Sequence, residues 1–541
     1  MDAISSGDVA STRWNDWHTI PWAETFQHVG RLQARIAKAA KNEQWRSVKR
    51  LQKLLVRSTT ARAVAVRRVT ENQGRKTPGV DGITWSTPRE KRKAVSTLDS
   101  RGYRPKPLRR IHIPKANGGK RPLGIPTMKD RAMQALYWLA LDPIAETHGD
   151  LNSYGFRSGR ATADAIAQCH NALSREHSPE WVLEGDIKGC FDNISHDWLV
   201  RNVPMDRHVL SKWLKAGFVE GHKLFPTDAG TPQGGPISPC LANLALDGME
   251  RLLKDNLPRR AKVNFIRYAD DFVVTGASKE LLETRVKPLI VGFLAERGLM
   301  LSESKTKITH VTEGFDFLGW HVQKHKRFLR IVPSKRNATA FYAKVSDRLR
   351  ELRGARQDEV VFVLNPIIRG WGNYHRVVHS SRTFAKLDHL ITRALWCWAT
   401  RRHPMKGKRW IKRRYFRSNG SRDWLFQTDV SCLTHLTSIP VVRHVKVRAD
   451  ANPYDPKDEG YFDERLTRRM RSTLQGRRKL YWLWNKQQGN CPVCAAKITK
   501  ATGWHVHHVV WRVYGGSDRL SNLQMLHPTC HAQLHACATE G

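Results

Sequence analysis

The sequence predicts an α+β fold with a helical second half and a small Cys/His-rich segment at its end. Three observations predict it. Between Thr77 and Gly276, short apolar runs alternate with Gly/Pro-punctuated turns, and acidic residues stand at the ends of the runs. Past about Pro333 the apolar residues take helical spacing, first Phe341, Val345, Leu349 and Leu352, then Leu387, Ile391 and Leu395. From about Tyr481, Cys491, Cys494, Cys530 and Cys537 crowd together with many histidines.

The bulk composition bounds the partners. The chain has 541 residues and a formal net charge of +43, enough length for about three or four domains. A field of that sign attracts polyanions, and nucleic acid is the expected partner, with an anionic membrane surface as its competitor. No stretch approaches the ~20 apolar residues of a spanning helix. Met1 to Gly30 lacks an apolar signal core and is broken by Asp2, Asp8, Arg13, Asp16 and Glu24. The expectation is a protein that is not secreted, cytoplasmic and nucleoid-associated in a bacterium, or organellar. No internal repeat is visible. Cys169, Cys190, Cys240, Cys397 and Cys432 are scattered and read as reduced core residues, whereas the terminal cluster reads as metal binding.

In chain order, Arg31 to Arg68 is helix-like and basic. Val48, Leu51 and Leu55 share a face, with Lys49, Arg50, Lys53 and Arg57 around them. That surface is either solvated or RNA-facing. "LRRIHIP" alternates as a strand does, and Asp130 to Leu141 is predicted helical. "WVLEGDIKGCF" is a buried strand ending at a carboxylate. "NFIRYADDFVVTG" is a hairpin with two aspartates at its turn. Arg401 to Arg417 carries nine cations and no acid, with Trp410, Tyr415 and Phe416 interleaved, a mixture that suits stacked bases and phosphates.

The aspartates define a chemistry. Nucleotide transfer to a 3′-hydroxyl needs two divalent cations about 4 Å apart, one at the attacking oxygen and one at the leaving pyrophosphate. Mg²⁺ prefers a few carboxylates plus water and phosphates. Asp270 and Asp271 at a tight turn, facing Asp186 on a neighbouring strand, would supply the cage. Adjacent strand residues point to opposite faces, so Asp186 and Asp270 are expected to bridge two Mg²⁺ ions, with Asp271 more peripheral.

A bare pair of aspartates is weak evidence, and the surrounding blocks carry more. "YADD" at 268–271, "DIKGCFDNISH" at 186–196 and "GTPQGGPISP" at 230–239 resemble the successive palm blocks of reverse transcriptases. "PKANGGKRPLGIPTMKDRAMQ" before them resembles the fingers blocks; "GLMLSESKTKI" and "FDFLGW" after them resemble the later palm and primer-gripping blocks. The order is the family's, over about Thr77 to Trp320. The resemblance implies a right-hand polymerase of fingers and palm, with Asp186, Asp270 and Asp271 as metal ligands. It implies that Phe191 lies under the incoming sugar and excludes a 2′-hydroxyl, a plain core ring being the alternative. Lys115 and Arg121 would grip the triphosphate of a deoxynucleotide, or belong to a solvated basic loop. Gln233 would approach the template and nascent pair, and Lys305 would stand near the active site.

The flanks narrow the lineage. "NPIIRGWGNYHR" at 365–376 and "LDHLITRALWCWATRRHP" after it resemble the thumb, or maturase region, of group II intron-encoded proteins, and "TPGVDGIT" resembles their N-terminal block. The resemblance implies an RNA-directed DNA polymerase that binds its intron RNA as a ribonucleoprotein, assists splicing and copies the intron at a new DNA site. Arg369, Trp371, Tyr374, His375 and Arg376 would face RNA, with Trp371 and Tyr374 as helix-packing aromatics in the plain reading. Arg409, Lys412, Arg413 and Arg414 would meet target DNA. The implied segments are 1–76 (N-terminal, helical, basic), 77–332 (fingers and palm), 333–404 (thumb), 405–480 (DNA-binding) and 481–541 (tail). A non-enzymatic splicing factor, or a reverse transcriptase of a retron or defence-associated lineage, are the alternatives. The oligomeric state, monomer or homodimer, is left open.

The tail has its own resemblance. "CPVC" at 491–494, "WHVHHVV" at 504–510, "GGSDRLSNLQML" and "HPTCHAQLH" at 527–535 resemble an HNH endonuclease, a ββα-metal nuclease. Such a nuclease uses one cation and a water-activating histidine. His531 and His535 are four apart and share a helical face; with His507 they form a three-ligand set with open positions for phosphate. The family pattern makes His508 the general base and Asn522 the residue that orients its loop. A structural Zn²⁺ site would take Cys491, Cys494, His527 and Cys530. The family's second knuckle usually has two cysteines; here His527 replaces the first, and Cys537 is an alternative ligand. Chelating this metal is expected to unfold the tail alone.

Overall fold

The computed structural model describes residues 14, 16–114, 119–231, 234–420, 422–474, 477–500 and 502–538, with side chains as far as residue 536. Three helices open it: α1 (Trp22–Lys41), α2 (Trp45–Arg57) and α3 (Thr59–Glu71). Val29, Leu32, Ile36 and Ala40 recur at helical spacing and are buried in α1. In α2, Val48 and Leu55 are buried while Lys49, Arg50, Lys53 and Arg57 stay exposed, as the basic face predicts. Helix α4 (Pro88–Thr97) starts on a Thr87–Glu90 capping box. All pack around α5 (Met128–His148), which is buried along nearly its whole length.

Two four-stranded sheets follow. The first has the order β2-β1-β4-β5, from β1 (Leu108–Pro114), β2 (Lys120–Ile125), β4 (Phe218–Glu220) and β5 (Lys223–Phe225). The second has the order β6-β7-β3-β8, from β3 (Trp181–Asp186), β6 (Phe265–Tyr268), β7 (Asp271–Gly276) and β8 (Lys307–His310). It is antiparallel throughout and covered on both faces. Leu183, Phe265, Phe272 and Val274 point into the core shared with α5, while Val182, Ile266 and Val273 point into a second core against the helix Thr162–Leu173. Alternation with period two sends successive residues to opposite cores. Gly185 lies opposite Phe272, and a Cβ there would run into the Phe272 ring, so the strand can carry only hydrogen at this position.

The second core continues into a sheet of β9 (Phe315–Phe317), β10 (Trp320–His325) and β11 (Phe328–Pro333). Three long helices, Lys335–Glu351, Gln357–His375 and Ser381–Arg402, then form a third core from the residues predicted by helical spacing, Phe341, Val345, Leu349, Leu387, Ile391 and Leu395. The fold is therefore α+β with a helical second half, as predicted. Two core assignments are corrected. Cys397 is exposed on the solvent side of its helix and Cys432 is exposed in the irregular stretch that follows the basic helix; Cys169, Cys190 and Cys240 are buried.

Past the basic helix Lys408–Tyr415 the chain returns to the palm. Asp164, fully buried, is the anchor: it accepts hydrogen bonds from the Val447 amide (2.7 Å) and Arg465 (2.9 Å), with His444 Nε2 at 2.8 Å. Burial opposes the charge of Asp164, but His444, Arg465 and the amide outweigh it and hold its pKa down. Asp164→Ala leaves Arg465 buried without its partner, a cost of about 3–5 kcal/mol. The expected result is a lower denaturant midpoint with enhanced proteolysis of residues 440–470; an unchanged midpoint would remove the anchor role.

Candidate active sites

The palm site is built by register. β3 ends on Asp186, which pairs directly with Asp271 on β7, while Tyr268 pairs with Asp271 across the hairpin. Ala269 and Asp270 form the turn, with Ala269 at φ +59°. Arg267, fully buried, holds that turn from below by donating to the Ala269 carbonyl (3.3 Å) and to Asn243 Oδ1 (3.2 Å), and it pairs with Asp247. The sequence reading placed Asp271 at the periphery. The register sets it opposite Asp186, because a two-residue turn puts the second aspartate first on the returning strand, and leaves Asp271 exposed with Asp270 half-buried.

The electrostatics follow from the crowding. Although Asp271 is exposed at the rim of the cleft, desolvation and then repulsion from Asp270 and Asp186 raise its carboxyl to about 7. Asp270 is raised by desolvation and by Asp186. Lys305 Nζ lies 2.9 Å from Asp186 Oδ2 and answers part of this charge. Among the described residues the three carboxylates do not gather within 4.8 Å of one another. A set of oxygen donors that repel one another at the end of a rigid sheet fits hard divalent cations, whose charge would relieve the repulsion. Arg121, exposed on β2, acts electrostatically on Asp270. Phe191 is half-buried beside the site. Lys115 and Gln233 lie outside the described residues.

In the thumb, the sequence expectation of five RNA-facing residues divides. Arg369 is exposed and donates to Thr434 Oγ1 (2.8 Å), and Tyr374 is exposed, stacked on Trp320 at 4.5 Å. Trp371 is half-buried and donates to Asn337 Oδ1 (2.7 Å). His375 and Arg376 are a correction. His375 is fully buried beside Asn337, where burial lowers its pKa to about 4, and Arg376 is 6% exposed and reaches Ser472. Positions 364, 368, 371 and 375 share one helix face, so the periodicity that buries Leu364 and Ile368 buries His375 with them. Arg409, Lys412, Arg413 and Arg414 are all exposed on the helix Lys408–Tyr415, over the buried Ile411 and Tyr415; Lys412 lies over the Trp424 ring at 4.9 Å.

The tail contains a second site. Strands β12 (His505–His508) and β13 (Leu523–Leu526) pair antiparallel and the helix Pro528–Ala538 follows them, a ββα unit. His507, His531 and His535 bring ligand atoms within 4.8 Å of one another. Burial and then the neighbouring histidines lower His531 to about 4, and the same causes lower His507. Three imidazoles that resist protonation offer lone pairs to a cation, a fitting donor set for one divalent metal. His508, next along the strand, points away from them: its Nε2 lies 2.7 Å from Asp518 Oδ1, which also accepts from Arg512 (2.7 Å). Arg512 Nε also lies 3.3 Å from His508 Nε2, so Asp518 and Arg512 together hold the ring by this nitrogen. Asn522 clamps the connecting loop, donating to the Val510 and Ser517 carbonyls (2.9 Å each) and accepting from the Val510 amide (2.7 Å). Sequence reading missed Asp518 and Arg512. Their signal was an acid in the Gly-rich turn four residues before Asn522.

Cys491, Cys494, His527 and Cys530 are all buried, with ligand atoms within 4.8 Å of one another. Cys494 Sγ is 3.2 Å from His527 Nδ1, and the other ring nitrogen faces the Lys497 carbonyl at 3.2 Å. That is the arrangement of a histidine ligand whose second nitrogen is fixed by backbone, so a Cys₃His zinc site fits. The Cys537 side chain lies outside the described residues.

Comparison with known proteins agrees with this geometry. Family models match in order: N-terminal domain of reverse transcriptase at 17–98, reverse transcriptase (RNA-dependent DNA polymerase) at 113–322, group II intron maturase-specific domain at 338–416 and HNH endonuclease at 491–536. Protein YkfC of Escherichia coli is 32% identical over 56% of this chain and 91% of its own. The group II intron-encoded protein LtrA of Lactococcus lactis is 31% identical over 48% of this chain; the alignment spans 54% of LtrA, about half its length. A telomerase structure from Candida albicans aligns with TM-score 0.34 and 12% identity over 57% of this chain and 64% of that one. The chain belongs to the group II intron-encoded reverse transcriptase–maturases that carry an HNH endonuclease domain. It is an RNA-directed DNA polymerase with an HNH nuclease, and its maturase domain marks it as RNA-binding. Among the described residues no helix is long and apolar enough to cross a membrane.

Proposed function

We propose that this protein assembles with an intron RNA, nicks one strand of a DNA target with its HNH tail, and extends the new 3′-hydroxyl as cDNA on the RNA template. The observation that carries the reading is the presence on one chain of two separate cation-fitting sites, the palm carboxylates and the tail histidines. Bound at the palm, two Mg²⁺ ions would supply charge for the attacking and leaving oxygens. Asp186, Asp270 and Asp271 hold the cation sites, Arg121 meets the triphosphate, Phe191 floors the sugar, and Lys305 keeps Asp186 neutralised until the site is filled. In the tail, His507, His531 and His535 hold one divalent ion. His508 accepts the proton of the attacking water at Nδ1, Asp518 fixes its ring, and Asn522 holds the loop. The zinc knuckle is structural. The exposed Arg409, Lys412, Arg413 and Arg414 bind DNA phosphates, and Arg369 with Tyr374 and the exposed face of α2 binds RNA.

The test separates the two sites. His508→Ala is expected to lower second-strand nicking by about 10²–10⁴-fold while primer extension on an RNA template persists. Asp518→Asn should lower nicking less, because it loosens one of the two holds on the ring and leaves His508 itself in place. Nicking retained in His508→Ala would overturn the base assignment; loss of both activities would mean that the sites are not independent.

A further inference from the structure

Phe156 is a residue that the functional reading has not absorbed, and three features of it are unfavourable in isolation. Its φ is +60°, a left-handed conformation that is uncommon for a bulky side chain. The residue is 53% exposed. It sits in a loop with no helix or strand of its own. Strain of this kind persists only where the surroundings over-determine it, and here they do. On one side, the Tyr154 amide donates to the Arg267 carbonyl (2.9 Å) and the Arg267 amide to the Asn152 carbonyl (3.0 Å), so the loop runs beside the catalytic hairpin. The Gly155 carbonyl accepts from Asn243 Nδ2 (2.9 Å), and a Cβ on Gly155 would collide with the Ala269 backbone. On the other side, Arg157 is buried against Glu146 (2.9 Å) and the Asp150 carbonyl (2.6 Å).

The backbone is thus clamped on both sides of the Phe156 ring. The ring meets Phe191 edge-to-face, with centroids 6.0 Å apart and planes at 80°. Phe191 is fixed on its backbone side, where its carbonyl accepts from the Thr231 amide (2.6 Å). Its ring has less support, because it is half-buried at the cleft.

We propose that Phe156 is a positioning residue for nucleotide selection: its ring braces Phe191 edge-on and so sets how strictly the pocket excludes a 2′-hydroxyl. The inference rests on the reading of Phe191 as the floor of the sugar site. A ring that can tilt leaves room for one more oxygen; a braced ring does not. The loop belongs to the same rigid unit as the Tyr268–Asp271 hairpin, so the brace keeps its register with the metal-binding carboxylates.

The experiment is single-nucleotide primer extension on an RNA template by the full chain, comparing a deoxynucleotide with its ribonucleotide. Phe156→Gly is the informative variant, since glycine accepts φ +60° without strain and folding is spared. It is expected to relax discrimination by about 5–10-fold, the scale of one aromatic pair, with the change in the ribonucleotide's KM rather than in kcat. Phe156→Tyr keeps the ring and should restore discrimination. Phe191→Val is the reference. If Phe191→Val relaxes discrimination and Phe156→Gly does not, the brace is wrong and the floor stands. If Phe191→Val leaves discrimination unchanged, the floor reading falls and the brace falls with it.

Discussion

Asp271→Asn is expected to abolish cDNA synthesis and, at the same time, to raise the melting temperature of the metal-free protein. Both results follow from one geometry. Asp271 stands opposite Asp186 in the β3–β7 register, with Asp270 beside it in the turn. Without a cation, desolvation and repulsion from those two neighbours push its carboxyl up to about 7. The sign is fixed: a carboxyl whose folded pKa is raised destabilises the fold once the pH exceeds its unfolded value, and increasingly up to the folded one. A neutral amide removes that repulsion, so at pH 8 in chelator the variant should melt higher than the parent protein. On the proposed role of Asp271 as a metal ligand, the same substitution removes an oxygen donor and its charge, and primer extension should fall by about 10³-fold or more. RNA binding should be nearly unchanged, because one carboxylate is a small part of a +43 protein. Asp270→Ala should show the same loss of extension. Melting curves with and without chelator, primer extension and filter binding make the three measurements. Retained extension would exclude Asp271 from the metal site, and a lower melting temperature would mean that the three carboxylates do not repel one another as the structure indicates.

Strand alternation said that Asp270 and Asp271 cannot be equivalent, which holds. It could not say which one faces Asp186, because that depends on how many residues the turn consumes. The same limit recurs in the thumb. The motif containing Trp371 and His375 was legible as a motif, with Trp371 and Tyr374 open between RNA-facing and helix-packing roles and His375 and Arg376 expected at the surface. Helical phase from Leu364 and Ile368 decides that His375 is buried, and phase was available in the sequence. Other features needed three dimensions from the start. Nothing in the spacing of Asp164, His444 and Arg465 shows that one buried carboxylate ties residues 444–465 back to the palm. Asp518 is separated from His508 by a loop whose path is set by Asn522. By contrast, the strand ending at Asp186, the Tyr268–Asp271 hairpin and the ββα order of the tail were legible because each is local: a run of apolar residues, a tight turn, a pair of histidines four apart.

The tail brings out the largest consequence of a contact that the sequence did not reveal. Taken alone it reads as a unit that unfolds by itself when its metal is removed. In the structure the knuckle is seated on the N-terminal helices. Cys491, Cys494, Met525, Leu526 and Cys530 share one continuous core with Trp22, Ile36 and Val66. Arg67 of α3, 4% exposed, bridges the two parts. It pairs with Glu71 at 2.9 Å, donates to Cys530 Sγ at 3.6 Å, and stacks over the Trp22 ring at 4.5 Å. Thr529 donates to Glu71, and Gln533 donates to the His18 carbonyl. A metal held by three thiolates and a neutral imidazole leaves a net negative charge, which a buried guanidinium is placed to balance. A structural zinc site contributes on the order of 10 kcal/mol of folding free energy in small domains, so its loss should melt the ββα unit. Arg67 would then keep Glu71 and the Trp22 and Phe26 rings but lose its thiolate partner. Chelation, or Cys494→Ser, is therefore expected to speed hydrogen exchange not only in residues 491–536 but also in α1 and α3. Arg67→Ala supplies the second arm: zinc should remain bound, while exchange rises in α3 and at residues 527–533, at a cost of about 3 kcal/mol. Exchange confined to the tail after chelation would show that the seat on α1 and α3 is held by apolar packing alone, and zinc loss in Arg67→Ala would show that the arginine supports the knuckle itself and not its docking.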